Sequence, residues 1–178
     1  MTTSDKLLIE GCLKNKRQSQ ETLYRKYAST MYHICLSFTG DRDEAKDILQ
    51  DSFIKVFKNL KGFNPEKSLE GWIRRIVNNT AIDFFRKKKQ LRYLESKIEE
   101  ANANEHRTES FEPAWVQTEI VLNHIKRLPD GARIIFHLFA IEGYSHKEIA
   151  DKLQITEGTS KSQFNRARKL LQNWINKV

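Results

Sequence analysis

The sequence predicts an all-α fold: two small helical domains joined by a flexible linker, the second containing a helix-turn-helix. Three observations lead there. Apolar residues recur at steps of three and four through most of the chain, with no stretch of strand-like alternation. An aperiodic polar run, "SKIEEANANEHRTESFE" from Ser96 to Glu112, interrupts that pattern. Near the C-terminus a Ser-x-x-Glu box opens a pair of short helical segments, the second crowded with cations.

The elements follow in order. A short helix is predicted from about Asp5 to Lys14 and a longer one from about Ser19 to Phe38. In the longer one Leu23, Tyr27, Met31, Ile34 and Phe38 form one apolar stripe. Gly40 ends it as a left-handed residue, and Asp41 or Asp43 caps the next helix. That third helix carries Ala45, Leu49, Phe53, Val56 and Leu60 inward. "GFNPEK" breaks the pattern with a Gly and an Asn-Pro turn. Ser68 caps a fourth helix, from about Leu69 to beyond Arg86, that buries Ile73, Ile76, Thr80 and Phe84. These elements make a first domain over 1–95. The run at 96–112 has too little apolar surface to offset its ordering entropy and reads as a linker. The second domain, 113–178, opens at Pro113, a residue favoured in a first helical turn. Val116, Ile120, Val121 and Ile125 line that helix, and Leu128-Pro129 ends it. Asp130 caps a helix through Ile141, and Gly143 closes it.

Composition narrows the function. The chain has 178 residues, a formal net charge of +8 and 39% hydrophobic residues. The excess positive charge is concentrated. Trp72 to Arg92 carries net +6 and Ser145 to Val178 net +4, leaving the remainder slightly negative. Two separate basic patches suggest two contacts with a polyanion. No apolar run approaches the roughly 20 residues of a membrane span, and the N-terminus has no signal-like apolar core, so a cytoplasmic location without membrane insertion is expected. Cys12 and Cys35 show neither pairing nor metal spacing and read as reduced, buried small hydrophobes. No metal, cofactor or catalytic residue is expected: the histidines are scattered, and there is no P-loop or Cys/His ligand pattern.

The helix-turn-helix is built from Ser145 and Glu148 as capping box, Ile149, Ala150 and Leu153 facing inward, Ile155 in the turn and Thr156 as the second cap. Thr159, Lys161, Ser162, Gln163, Arg166 and Arg168 then lie on the second helix, short polar residues at its N-terminal end. That is where a helix in the major groove meets base edges and phosphates. On the fourth helix Arg75, Asn79, Asp83 and Arg86 share one stripe, and amides between arginines suit bases or phosphates. Trp72, Phe63 and Phe85 offer stacking surfaces nearby, Trp72 being first of all a core anchor. On the third helix Asp47, Gln50, Asp51 and Ile54 form an acidic patch around an exposed Ile, better suited to a protein than to nucleic acid. A self-contained dimeric helix-turn-helix regulator is an alternative. It would leave the fourth-helix stripe and the acidic face without a role.

The two halves together, "DEAKDILQDSFIKVFKNLKGFNPEKSLEGWIRRIVNNTAIDFFRKK" and "RLPDGARIIFHLFAIEGYSHKEIADKLQITEGTSKSQFNRARKLL", resemble the extracytoplasmic-function (ECF) sigma factors of the sigma-70 family. The resemblance implies a non-enzymatic transcription initiation factor. It implies that Asp47, Gln50, Asp51 and Ile54 bind core RNA polymerase. The loop from Phe63 to Leu69, with Asn64 and Ser68, would capture a flipped base of the minus-ten element. Trp72, Arg74, Arg75, Asn78, Asn79, Asp83 and Arg86 would help melt and hold that element. The C-terminal helix would read the minus-thirty-five element. Core polymerase, promoter DNA and an anti-sigma factor are the implied partners, with a monomer when free. Three residues depart from the family's pattern: Gln154 stands where Gly is usual, Ser160 where a buried Val is usual, and Gln163 where Arg is common. At Gln154 the turn must either tolerate a strained left-handed residue or adjust, and the other two bear on minus-thirty-five preference.

Overall fold

The computed structural model describes residues 3–96 and 123–175. The expected linker beyond Ser96, and Pro113, Val116, Ile120 and Val121, lie outside the described residues. Among the described residues every regular element is helical. The chain divides into two compact units, Met1–Ile82 and Asp83–Val178.

In the first unit, α1 (Thr3–Leu13), α2 (Arg17–Thr39) and α3 (Arg42–Asn59) are followed by a 3-10 turn (Leu60–Gly62) and by the first half of α4 (Leu69–Ser96), whose residues from Asp83 on belong to the second unit. Gly40 takes φ 69° and its N–H reaches the Leu36 carbonyl, ending α2 as expected. Asp41, rather than Asp43, caps α3; its carboxylate accepts from the Asp43 and Glu44 N–H groups. Leu23, Met31, Phe38, Ala45, Phe53, Val56 and Leu60 are buried, so both predicted stripes face the core. The short α1 is held against α2 by the Asp5–Lys26 ion pair. Gly11 makes that approach possible, because a Cβ there would lie 2.0 Å from Ser19 Oγ. Both cysteines are buried, and desolvation pushes the Cys35 thiol up to about 12, leaving it unreactive.

The buried stripe of α4 differs from the expected one. Ile73 and Thr80 are buried, but Ile76 and Phe84 are only half-buried, while Val77, Ala81 and Ile82 are buried in the first unit and Phe85 in the second. The helix is thus rotated by about one residue, and this brings Asn78 inward at 2% exposure.

In the second unit a helical segment over 123–126 precedes α5 (Asp130–Phe136), a π turn (His137–Ile141), α6 (His146–Leu153) and α7 (Glu157–Ile175). Ile125, Leu128, Ala132, Ala167 and Leu171 form its core, flanked by Phe136, Leu170 and Trp174. Two expectations are corrected here. Asp130 does not cap α5. Its carboxylate instead receives the buried Arg133 guanidinium at 2.7 Å, and Pro129 stands at the cap position without a side-chain bond. Nor is the helix regular through Ile141. The Glu142 N–H bonds the His137 carbonyl, five residues back, so the last turn widens into a π turn before Gly143 closes it at φ 74°.

Candidate functional site

The candidate functional residues fall on three helices and one loop. On α3, Asp47, Gln50, Asp51 and Ile54 are all exposed, Ile54 at 44%. They lie outside the buried Leu49–Phe53–Val56 stripe, and Gln50 and Ile54 border an open groove of about 440 Å³. Its remaining walls are Tyr24, Lys46, Leu49, Phe53 and Phe57. Tyr24 of α2 is 41% exposed and packs edge-on against Phe53, with ring centroids 4.7 Å apart. Sequence reasoning missed Tyr24, Phe53 and Phe57 as parts of this surface. The one available signal was a large aromatic at Tyr24, off the buried stripe of α2. An aromatic trough walled by Lys46, Gln50 and Ile54, with Asp47 and Asp51 exposed on the same helix, suits a protein ligand that offers an apolar knob and polar partners.

The second group lies on the 63–69 loop and on α4. Asn64 is exposed and its side chain accepts from the Glu66 N–H, which folds the loop locally. Ser68 accepts from the Gly71 N–H and starts α4. Phe63 is buried and Trp72 half-buried, their ring centroids 5.3 Å apart. Arg75 is exposed, and Arg74 and Asn79 are half-buried on the same helix. Asn78 points into the core, so its amide contributes packing and polarity inside rather than surface. Phe85 is likewise buried. Farther along α4, in the second unit, Asp83 and Arg86 are exposed and 3.8 Å apart.

The third group is the helix-turn-helix. Ser145 Oγ accepts from the Glu148 N–H, while the Glu148 carboxylate accepts from the Ser145 N–H and hydroxyl, completing the predicted capping box. The Ser145 backbone N–H, and then its hydroxyl, hold the Glu148 carboxyl below the usual carboxylate range. Ile149 and Ala150 are buried. Gln154 takes φ 53° and ψ 52°, the left-handed geometry expected of a Gly position, and its N–H bonds the Ala150 carbonyl. Thr156 Oγ1 accepts from the Thr159 N–H and caps α7.

On α7, Thr159, Lys161, Ser162, Arg166 and Arg168 are exposed. At 100° per residue, Thr159 and Arg166 run along one flank and Lys161 and Arg168 along the other, with Ser162 between them. Lys161 is paired with Glu157 at 2.7 Å, which draws the Glu157 carboxyl down. Gln163 is half-buried beside Gly131 of α5. Ser160 is fully buried. Among the described residues no helix is long and apolar enough to cross a membrane, and no group of His, Cys, Asp or Glu is placed to hold a metal ion.

Comparisons with known proteins bear on both halves of the chain. Residues 23–90 match the model for Sigma-70 region 2, and residues 118–171 match that for Sigma-70 region 4. The chain is 30% identical over 158 residues to the ECF RNA polymerase sigma factor SigW of Bacillus subtilis, covering 84% of each. The chain is an ECF sigma factor of the sigma-70 family.

This sigma factor is also 33% identical over 129 residues to the RNA polymerase sigma factor SigZ of Bacillus subtilis, covering 72% of this chain and 71% of that one. Against the ECF RNA polymerase sigma factor SigE of Mycolicibacterium smegmatis it is 28% identical over 166 residues, which span 89% of this chain and 62% of that protein. Two solved structures share the fold at 20% identity. One is the sigma factor RpoE in complex with the anti-sigma factor NepR from Bartonella quintana, at TM-score 0.52 over 88% of this chain and 96% of that one. The other is CnrH in complex with the cytosolic domain of CnrY, at TM-score 0.50 over 97% of both.

Proposed function

We propose that this sigma factor binds core RNA polymerase in the cytoplasm and directs it to promoters, with α3 as the polymerase contact, the 63–69 loop and α4 as the minus-ten contact, and α7 as the minus-thirty-five contact. The division of labour follows domain limits of 1–95 and 113–178, with 96–112 as the tether. The observation that carries this reading is a conjunction on one chain. An exposed acid-and-isoleucine face borders an aromatic groove on α3, and a helix-turn-helix keeps the polar side of its second helix open.

The chemistry is consistent with promoter opening. Unpairing and unstacking a base costs a few kcal/mol, which capture in a polar or aromatic pocket must offset. The half-buried Trp72 and the loop amide of Asn64 supply such groups beside Arg74 and Arg75. Duplex readout by α7 supplies register, through phosphate contacts at Lys161 and Arg168 and base-edge contacts at Thr159, Ser162, Gln163 and Arg166. The sigma factor lends specificity and leaves phosphoryl transfer to the polymerase. An anti-sigma protein is the proposed regulator, supported by the structural neighbour RpoE, which is held by the anti-sigma factor NepR. The free chain is proposed to be a monomer.

The test is run-off transcription with purified bacterial core polymerase on genomic fragments of the host. Specific transcripts are expected with the protein and lost with Asp51→Lys, whose exposed position leaves the fold intact. No transcripts, together with tight binding of intact duplex by the protein alone, would favour the dimeric regulator instead.

A further inference from the structure

Ser160 occupies the innermost position at the start of α7 and is fully buried. A hydroxyl withdrawn from water has to be matched by a hydrogen bond. Its match is His146 Nδ1 at 2.9 Å, from the first turn of α6. Either tautomer satisfies the pair: the hydroxyl donates to a bare Nδ1 or accepts from a protonated one.

The imidazole cannot swing freely, because aromatic rings hold it on two sides. It stacks on Phe139 of the π turn at 4.3 Å and 14°, and it meets Phe164 of α7 edge-on at 5.7 Å. Phe139 and Phe164 themselves touch at 4.6 Å. Three elements, the π turn, α6 and α7, therefore converge on one buried hydroxyl. An apolar side chain at this position would hold the helix by shape alone, whereas a hydrogen bond adds a preferred distance and direction. Residues 159, 161 and 162 surround Ser160 on the same turn, so a rotation at Ser160 re-aims all of them.

We propose that the Ser160–His146 pair is a positioning device for α7, setting the angle at which the helix presents Thr159, Lys161 and Ser162 to DNA. This rests on α7 being the minus-thirty-five helix, and it makes His146 and Ser160 positioning residues rather than DNA contacts.

The test uses the polymerase–sigma holoenzyme and a promoter recovered by run-off. Affinity is measured for a fork template carrying both elements and, separately, for the minus-ten non-template strand alone. Thr and Val have the same shape and differ at residue 160 only in the hydroxyl. S160T should stay within about twofold of the parent on the fork, and S160V should weaken it by more than that and by up to about fivefold, the ceiling reached if the whole worth of one net hydrogen bond goes into holding the binding angle. Neither should change binding of the minus-ten strand. H146F should match S160V, and the double variant should be no weaker than the worse single, since both remove one shared bond. Thermal unfolding is recorded for each chain. Should S160V fail to fold, H146F against H146N, whose amide can stand in for Nδ1, gives the same contrast without touching residue 160.

Equal behaviour of S160V and S160T, or losses that multiply in the double variant, overturns the pair. Lys161→Glu separates this from failure of the reading beneath it. If Lys161→Glu weakens the fork while S160V and S160T behave alike, only the pair is wrong. If Lys161→Glu leaves the fork unchanged, α7 is not the minus-thirty-five helix and the proposal falls with it.

Discussion

Arg133 illustrates what a single residue does in this fold. Its guanidinium is buried, yet it is fully engaged: Nη1 donates to the Leu128 and Lys126 carbonyls at 2.7 and 3.2 Å, and Nη2 to the Asp130 carboxylate at 2.7 Å. The two carbonyls are those left open where the 123–126 segment ends, so the side chain closes one helix end from the next helix. Only a planar fork reaches all three acceptors. Arg133→Met is expected to destabilise the second unit by about 2–4 kcal/mol, because it leaves buried carbonyls unpaired as well as losing charged hydrogen bonds. Chemical denaturation monitored through Trp174, which stacks on His124 in the same core, reads this directly. A change below about 0.5 kcal/mol would mean that water replaces the guanidinium without loss. The sequence hid this role: Asp130 after Pro129 looks like a helix cap, and nothing local reveals that Arg133 claims it.

At the scale of the element, the capping box of α6 has a definite pH signature. The folded protein holds the Glu148 carboxyl below its ordinary range, so the unfolded chain binds this proton more readily. The contribution is therefore fully present above the ordinary carboxylate range and is lost as pH falls through the depressed folded value. Thermal unfolding of wild type and Glu148→Gln should differ by a constant amount near neutrality, and the gap should close in acid. A gap independent of pH would show that the charged form carries no advantage. The box was legible in sequence because its partners are three residues apart and local geometry suffices. The same holds for Gly40 and Ser68 and, as one of two candidates, for Asp41, whereas the left-handed Gln154 was expected only through the family resemblance. The rotation of α4 was not legible, because the stripes containing Ile76 and Val77 differ by one position and only neighbouring helices choose between them. That choice took Asn78 off the surface.

For the whole molecule, the proposed function puts charge at two DNA contacts, and that charge sets the expected dependence on salt. Counterions released from DNA make log K fall with log salt, by about 0.9 for each phosphate neutralised. Lys161→Ala in the holoenzyme should lower that slope by about one, weakening binding to promoters of different sequence alike. Ser162→Ala should leave the slope unchanged. An unchanged slope for Lys161→Ala would assign the Lys161 ammonium to its ion pair with Glu157 instead of to a phosphate. Two modest contacts on one chain gain by being joined, since the second becomes intramolecular once the first has formed.

The sequence by itself determined the helical class, most of the core stripes, most of the caps and the family, for all of these rest on spacings within one or two turns or on contiguous motifs. Tertiary structure decided what depends on residues far apart in the chain. It drew Tyr24 of α2 against Phe53 of α3 to form the groove beside Ile54, turned Asn78 inward, and set Arg133 under the preceding helix end. It also gave the buried Ser160 a partner fourteen residues earlier. A period fixes which face of a helix is apolar, but the helix packed against that face fixes its rotation, and rotation is what brings distant side chains within bonding distance.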